Sequence, residues 1–266
     1  MIIEVPYFEY MRKYRLWEFI NRRAISEFGI KLKVYDGIPG SPWNGGRAPM
    51  DIEPMDDFAV SFALTNHTIN DFDDPISHKY LTRFDREGNG IILSNLELLD
   101  NLKSRYKNYH YVYSITAYDI KNGFDGYDEI EKKFDYIVPR NEIVNEGEFL
   151  KRNTQQYILL YSFECSYCPL YIEHYKVIGE IQHQPDKHHL IPCWFKDRKL
   201  LPDAGYKETD YAEYEYTHSG DFHHKLRAID PSVVAGYKIG RNNQGWSKIE
   251  DELGEIIELL RIHKAL

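Results

Sequence analysis

The sequence predicts an α/β chain folded as one (β/α)8 TIM-like barrel. Three observations lead there. Short apolar runs alternate with longer amphipathic stretches along the chain. The apolar runs are near-continuous, as expected of parallel strands buried on both faces. No tight hairpin turn joins successive runs, so each connection is long enough for a crossover helix. The strand candidates are residues 32–35, 58–64, 90–93, 109–115, 134–138, 157–161, 190–195 and 235–239. Helix candidates fall at 7–28 ahead of the first strand, then at 71–86, 95–107, 126–133, 142–153, 170–179, 222–229 and 246–264. Leu96, Leu99 and Leu102 keep the 3.6-residue period, as do Ile249, Leu253, Ile256, Ile257 and Leu260. Asp71, Asp73 and Asp74 before Pro75 read as the N-terminal cap of a helix. A doubly wound open sheet is the alternative, but no Gly-x-Gly-x-x-Gly follows the first strand candidate.

Residues 1–266 thus form a single barrel domain, with an N-terminal helix 7–28 and an insertion around 197–220 that includes the acidic, tyrosine-rich stretch 210–216. Hydrophobic residues make up 42% of the chain and aromatic residues 15%, enough for a packed core. No apolar run reaches the roughly 18 residues of a membrane span. The first residues lack the basic and apolar regions of a secretory signal. Three cysteines in 266 residues argue against a disulfide framework and for a reducing, cytoplasmic setting. A formal net charge of -9 makes broad binding to a polyanion unfavourable, leaving room only for a local basic patch.

In a barrel, the C-terminal strand ends form the active mouth. The sequence places Asp36, Asn66, Asn95, Ser114, Thr116, Arg140, Cys165, Cys168, Lys196, Lys238 and Arg241 at or beside those positions. The stretch 36–47 is rich in Gly and Pro and carries Trp43, the composition of a fixed loop. Asp36 and Asn44 are its candidates for orienting a substrate. Arg47, Lys238 and Arg241 are candidates for binding an anion, since Arg offers a planar fork to phosphate or carboxylate. Cys165 and Cys168 lie two residues apart after a strand, so their thiolates can converge on one metal. With Cys193 they could hold an iron–sulfur cluster with one open iron, or zinc with His174 as fourth ligand. The His188–His189 and His223–His224 pairs diverge in either helix or strand, so at most one of each pair faces a given site.

The run Ala235-Gly-Tyr-Lys238-Ile-Gly240-Arg241 resembles the last-strand signature of the collagenase-like peptidase family. The Cys165-x-x-Cys168-Pro169 turn followed by His174-Tyr175 resembles short bacterial or phage relatives of it. The resemblance covers roughly the last 110 residues, and the 43–47 loop more loosely. It implies a TIM barrel and cysteine-bound iron–sulfur chemistry, in hydroxylation of RNA or of a small molecule. Two departures stand out: no Glu separates Ile239 from Gly240, and three cysteines stand where cluster-bearing members use four. Neither Gly-x-Ser-x-Gly nor His-Glu-x-x-His occurs, which disfavours a conventional peptidase. The sequence therefore reads as a metal- or cluster-dependent enzyme acting on a small molecule or RNA. A non-catalytic binding or structural barrel is the alternative.

Overall fold

Each strand carries two kinds of side chain in alternation, and most of both kinds are buried. Ile3, Val5, Leu32, Val34, Phe62, Leu93 and Tyr237 point outward, into a core shared with Leu81, Leu98, Leu102, Ile130, Leu253 and Ile256 of the surrounding helices. Tyr35, Ala63, Ile92, Val112, Val138 and Ile158, at the alternate positions, form a second cluster inside the sheet. Burial on both faces is why the strands read as unbroken apolar runs.

The computed structural model describes residues 1–7, 26–47, 49–50, 59–117, 126–140, 144, 148–161, 171–182, 184, 186–187, 228–240 and 246–265. Its strands are β1 (Ile2–Pro6), β2 (Lys31–Asp36), β3 (Ala59–Leu64), β4 (Gly90–Leu93), β5 (His110–Tyr113), β6 (Tyr136–Ile137), β7 (Ile158–Tyr161) and β8 (Gly236–Ile239). All neighbours pair in parallel, in the order β6-β5-β4-β3-β2-β1-β8-β7. A parallel bridge between Ile137 and Tyr157 brings the two ends of the sheet together, giving a nearly closed (β/α)8 barrel.

The helices are α1 (Pro75–Arg83), α2 (Leu96–Arg105), α3 (Tyr127–Lys133), α4 (Tyr171–Ile181) and α5 (Trp246–Ala265). Asp74 caps α1, its carboxylate accepting from Ser77 N at 2.7 Å with Pro75 opening the helix. Asn95 caps α2 by accepting from Leu98 N at 3.0 Å. Where a helix was expected over 142–153, Val144 is helical, while Phe149–Lys151 makes a 3-10 turn, followed by another at Thr154–Gln156. Thr154 and Gln155 are tied there to the carbonyls of Val233 and Ser232, which hold the chain in short turns.

Two strand assignments differ from the sequence reading. The barrel begins at Ile2–Pro6, which pairs with both β2 and β8. Strand β7 pairs directly with β8, from Ile158 opposite Gly236 to Tyr161 opposite Ile239. Its other side meets β6 through the Ile137–Tyr157 bridge. Both edges of β7 are therefore taken by described residues, where the sequence reading puts the run 190–195. That run lies outside the described residues, as do the insertion 197–220 and all but the ends of the 7–28 helix. Among the described residues no helix is long and apolar enough to cross a membrane.

Candidate functional site at the barrel mouth

The same alternation that fills the lumen with apolar groups at most heights sends five polar ones inward at one level. Glu4 stands opposite Lys33 on one side and Lys238 on the other. Ser61 stands opposite Gly90, and Gly90 opposite His110. Glu4 is fully buried, Lys33 is 2% exposed and Lys238 is 6% exposed. One Glu4 oxygen accepts from Ser61 Oγ at 2.7 Å and the other accepts from Lys238 Nζ at 2.7 Å. Lys33 donates to His110 Nε2. An ammonium can only donate, so Nε2 is the bare acceptor and the His110 ring is neutral.

The titration behaviour follows from this packing. Burial opposes ionisation of Glu4, but the Lys238 and Lys33 charges, with hydrogen bonds from Lys238 and Ser61, outweigh it. They bring its carboxyl down from 4.5 to about 2. Burial lowers both lysines from 10.5 to about 8, against the pull of Glu4. Arg47 adds to the lowering at Lys238, while Asp36 opposes it. Burial, reinforced by Lys33, takes His110 from 6.5 to about 4.

Above this level lies the C-terminal end of β2. The Lys238 ammonium sits over the Tyr35 ring, and the Tyr35 hydroxyl donates to the Ile239 carbonyl at 2.8 Å. Asp36 is 1% exposed. The loop that follows is built around Asn44, whose Oδ1 accepts from Ile38 N at 2.8 Å and whose Nδ2 donates to Ile38 O at 2.6 Å. Trp43 is buried and donates through Nε1 to Asp71 O at 2.9 Å. Gly45 has φ +63, and a Cβ there would fall 2.7 Å from the Thr65 carbonyl oxygen, so only glycine lets this loop lie against the end of β3. Thr65 Oγ1 donates to Asn44 O at 3.1 Å, and Arg47 Nε donates to Thr65 Oγ1 at 3.3 Å. The loops after β2 and β3 thus lock together and aim Arg47 at the mouth.

Helix α4 follows β7 in sequence, yet its contacts lie three and four staves away, on the loops after β2 and β3. Gln182, just past its end, accepts from Gly46 N at 3.1 Å and donates to Pro42 O at 2.6 Å. A side chain at Gly46 would collide with Ile178, and one at Gly179 with Asn66. The Arg47 guanidinium lies 5.4 Å from the Tyr175 ring centroid. Burial alone would cost Arg47 its charge, but Tyr175, Tyr35 and Asp36 more than offset that and raise its affinity for the proton. The helix therefore lies across the C-terminal end of the barrel.

Of the residues singled out by sequence, Asp36, Asn44, Arg47 and Lys238 gather at this mouth. The Asn44 amide is committed to the Ile38 backbone, so its contact with the rest of the site runs through the loop it braces. Asn66 binds Pro42 O and Thr68, and Asn95 caps α2. His174 lies on α4, half-buried, with its ring 5.1 Å from that of Tyr175. Cys165, Cys168, Cys193, Lys196 and Arg241 lie outside the described residues. Among the described residues no three His, Cys, Asp or Glu side chains group to hold a metal ion. Glu4, Lys33 and His110 were not found by sequence reasoning. A charged residue inside a β-branched run, as in Ile-Ile-Glu-Val or Lys-Leu-Lys-Val-Tyr, was the available signal. Comparison with family models, curated proteins and solved structures finds no match to this chain.

Proposed function

We propose that this chain is a barrel enzyme that binds a small anionic substrate at its C-terminal mouth, with Arg47 and Lys238 as the anion-binding cations. The observation that carries this reading is an imbalance of charge. Among the described residues three cations, Lys33, Lys238 and Arg47, share the lumen and mouth with two carboxylates, Glu4 and Asp36. A buried cation short of its counter-charge is costly, and an incoming carboxylate or phosphate relieves that cost. Arg47 adds bidentate geometry, and helix α4 above it excludes water and strengthens the attraction. Asp36 is placed to orient polar groups of the substrate. Titration with inorganic phosphate by calorimetry tests the reading. Binding that weakens about tenfold or more in Arg47→Met, with unchanged thermal stability, is the expected result. Equal affinity in wild type and variant, or no heat of binding at all, sinks it and favours a non-catalytic barrel.

A second reading adds a metal or iron–sulfur cluster, on one specific observation. Strand β7 ends at Tyr161 on the mouth side, and α4 begins at Tyr171 over the same mouth. The segment joining them carries Cys165 and Cys168. Thiolates of Cys165, Cys168 and Cys193, with His174, would suit a zinc ion or an iron–sulfur cluster chemically. When bound, such a group would supply Lewis-acid or redox chemistry beside the anion site. The resemblance to the collagenase-like peptidase family points the same way. Anaerobic reconstitution followed by iron, sulfide and zinc analysis decides it. Stoichiometric metal in the wild type that is lost in the Cys165→Ser, Cys168→Ser double variant is the expected outcome.

A further inference from the structure

Lys238 is more than a salt-bridge partner by its position. It belongs to the last strand of the barrel and is the more exposed of the two lumen lysines, at 6% against 2% for Lys33. Its nitrogen is fixed from two sides: Glu4 Oε2 stands 2.7 Å away and the Tyr35 ring face lies beneath it. Glu4 faces two cations at once, hydrogen-bonded to Lys238 and within electrostatic reach of Lys33. Arg47 stands at the mouth within electrostatic reach of Lys238. An amine with a carboxylate in hydrogen-bond contact, a second cation behind it and an anion-binding arginine at the entrance is the constellation that activates lysine towards carbonyl groups.

We propose that Lys238 is the nucleophile of a Schiff-base site for a small carbonyl compound that also carries a carboxylate or phosphate group, the anion resting on Arg47. This rests on the reading of the mouth as an anion site. The step balances without a further reagent. Lys238 passes a proton along the 2.7 Å contact to Glu4, and the neutral nitrogen attacks the carbonyl carbon. A proton moves from nitrogen to oxygen in the resulting carbinolamine. Glu4 then returns its proton to that hydroxyl, which leaves as water while the C=N bond forms. The product is an iminium ion paired with the Glu4 carboxylate, and the reverse sequence releases the carbonyl compound. Ser61, donating to the other Glu4 oxygen at 2.7 Å, holds the carboxylate in place through both transfers. Tyr35, anchored to Ile239, keeps the amine from swinging away.

The test is reductive trapping on the full chain. The protein is incubated with pyruvate, and separately with dihydroxyacetone phosphate, in the presence of sodium borohydride. Intact mass and peptide mapping then follow. A single adduct mapped to Lys238, lost in Lys238→Arg and formed about tenfold more slowly in Arg47→Met, is the expected result. Labelling by only one of the two compounds identifies the anionic group that the mouth takes. No adduct with either compound, or labelling of Lys33 or of surface lysines in place of Lys238, overturns the proposal. Mapping on the wild type decides this even if Lys238→Arg fails to fold. Phosphate binding retained without any adduct removes the covalent step and leaves the anion reading standing; loss of both removes both.

Discussion

The Lys238 ammonium lies 3.1 Å from the centroid of the Tyr35 ring, and the Tyr35 hydroxyl donates to the carbonyl of Ile239, the residue after Lys238. Strand β2 therefore holds both the side chain and the backbone of β8 at the level of the site, across the intervening β1. The two contacts separate by substitution. Tyr35→Phe keeps the ring and loses the hydrogen bond, at a cost of about 1 kcal/mol. Tyr35→Leu loses the ring face as well, at about 2 kcal/mol more for a desolvated cation. Urea unfolding of the two variants measures the difference, and equal costs would mean that the ring face contributes nothing.

Glu4 is the residue whose loss the barrel should feel most. Glu4→Gln keeps the volume and leaves Lys33 and Lys238 buried together without their shared counter-charge. The expected destabilisation is about 3–5 kcal/mol. Lys238→Met in the Glu4→Gln background should recover part of it, because removing both charges is cheaper than stranding one. Additive losses in the double variant would show that the two side chains do not interact.

Stability should climb with pH in three windows set by the lumen groups. The Glu4 carboxyl, lowered from 4.5 to about 2, contributes stability that is present above 4.5 and lost as pH falls through 2. His110, lowered from 6.5 to about 4, stays neutral in the folded state while the unfolded chain still binds a proton, so stability rises between those values. Lys33 and Lys238, each lowered from 10.5 to about 8, act in the same sense between 8 and 10.5. His110→Gln should flatten the middle window alone. Chemical denaturation at intervals of pH reads this out, and an unchanged slope between 4 and 6.5 would remove His110 from the account.

Gln182 is the clasp of α4, with one bond to Gly46 N and one to Pro42 O. Gln182→Ala removes both, each worth about 1 kcal/mol, so the helix should open roughly thirtyfold more often. Faster amide exchange confined to α4 and the 42–47 loop is the expected pattern by mass spectrometry. Faster exchange throughout the barrel would instead mark the clasp as part of the global fold.

The barrel was legible because strands buried on both faces leave an unbroken apolar record, as in Ala59–Leu64, Gly90–Leu93 and Ile158–Tyr161. The first strand escaped notice for the reason that makes it interesting. Ile2–Pro6 is only five residues long, ends in proline and has a charge at its centre, which periodicity treats as a break. Lys33 was hidden in the same way inside a strand that was recognised. Asp36, Arg47 and Lys238 could be placed at the mouth because strand ends and a glycine-rich loop are visible in sequence. Glu4, the partner of Lys238, is 234 residues away from it, and pairing at that distance exists only once the barrel closes. The path of α4 was equally invisible: its composition says helix, while its destination is set by Gln182 and Ile178 meeting Gly46 at the far side of the mouth.

The bridge between Ile137 and Tyr157 closes the cylinder beside a strand of only two residues, whereas every other seam carries at least two register pairs. The wall is thus a band with a clasp. Its girth can change by parting one contact, without breaking the β1–β2 and β1–β8 ladders that hold Glu4, Lys33 and Lys238 in register. Opening at that seam, which β7 alone separates from the strand of Lys238, would widen the lumen while the ladders that hold the charges stay paired.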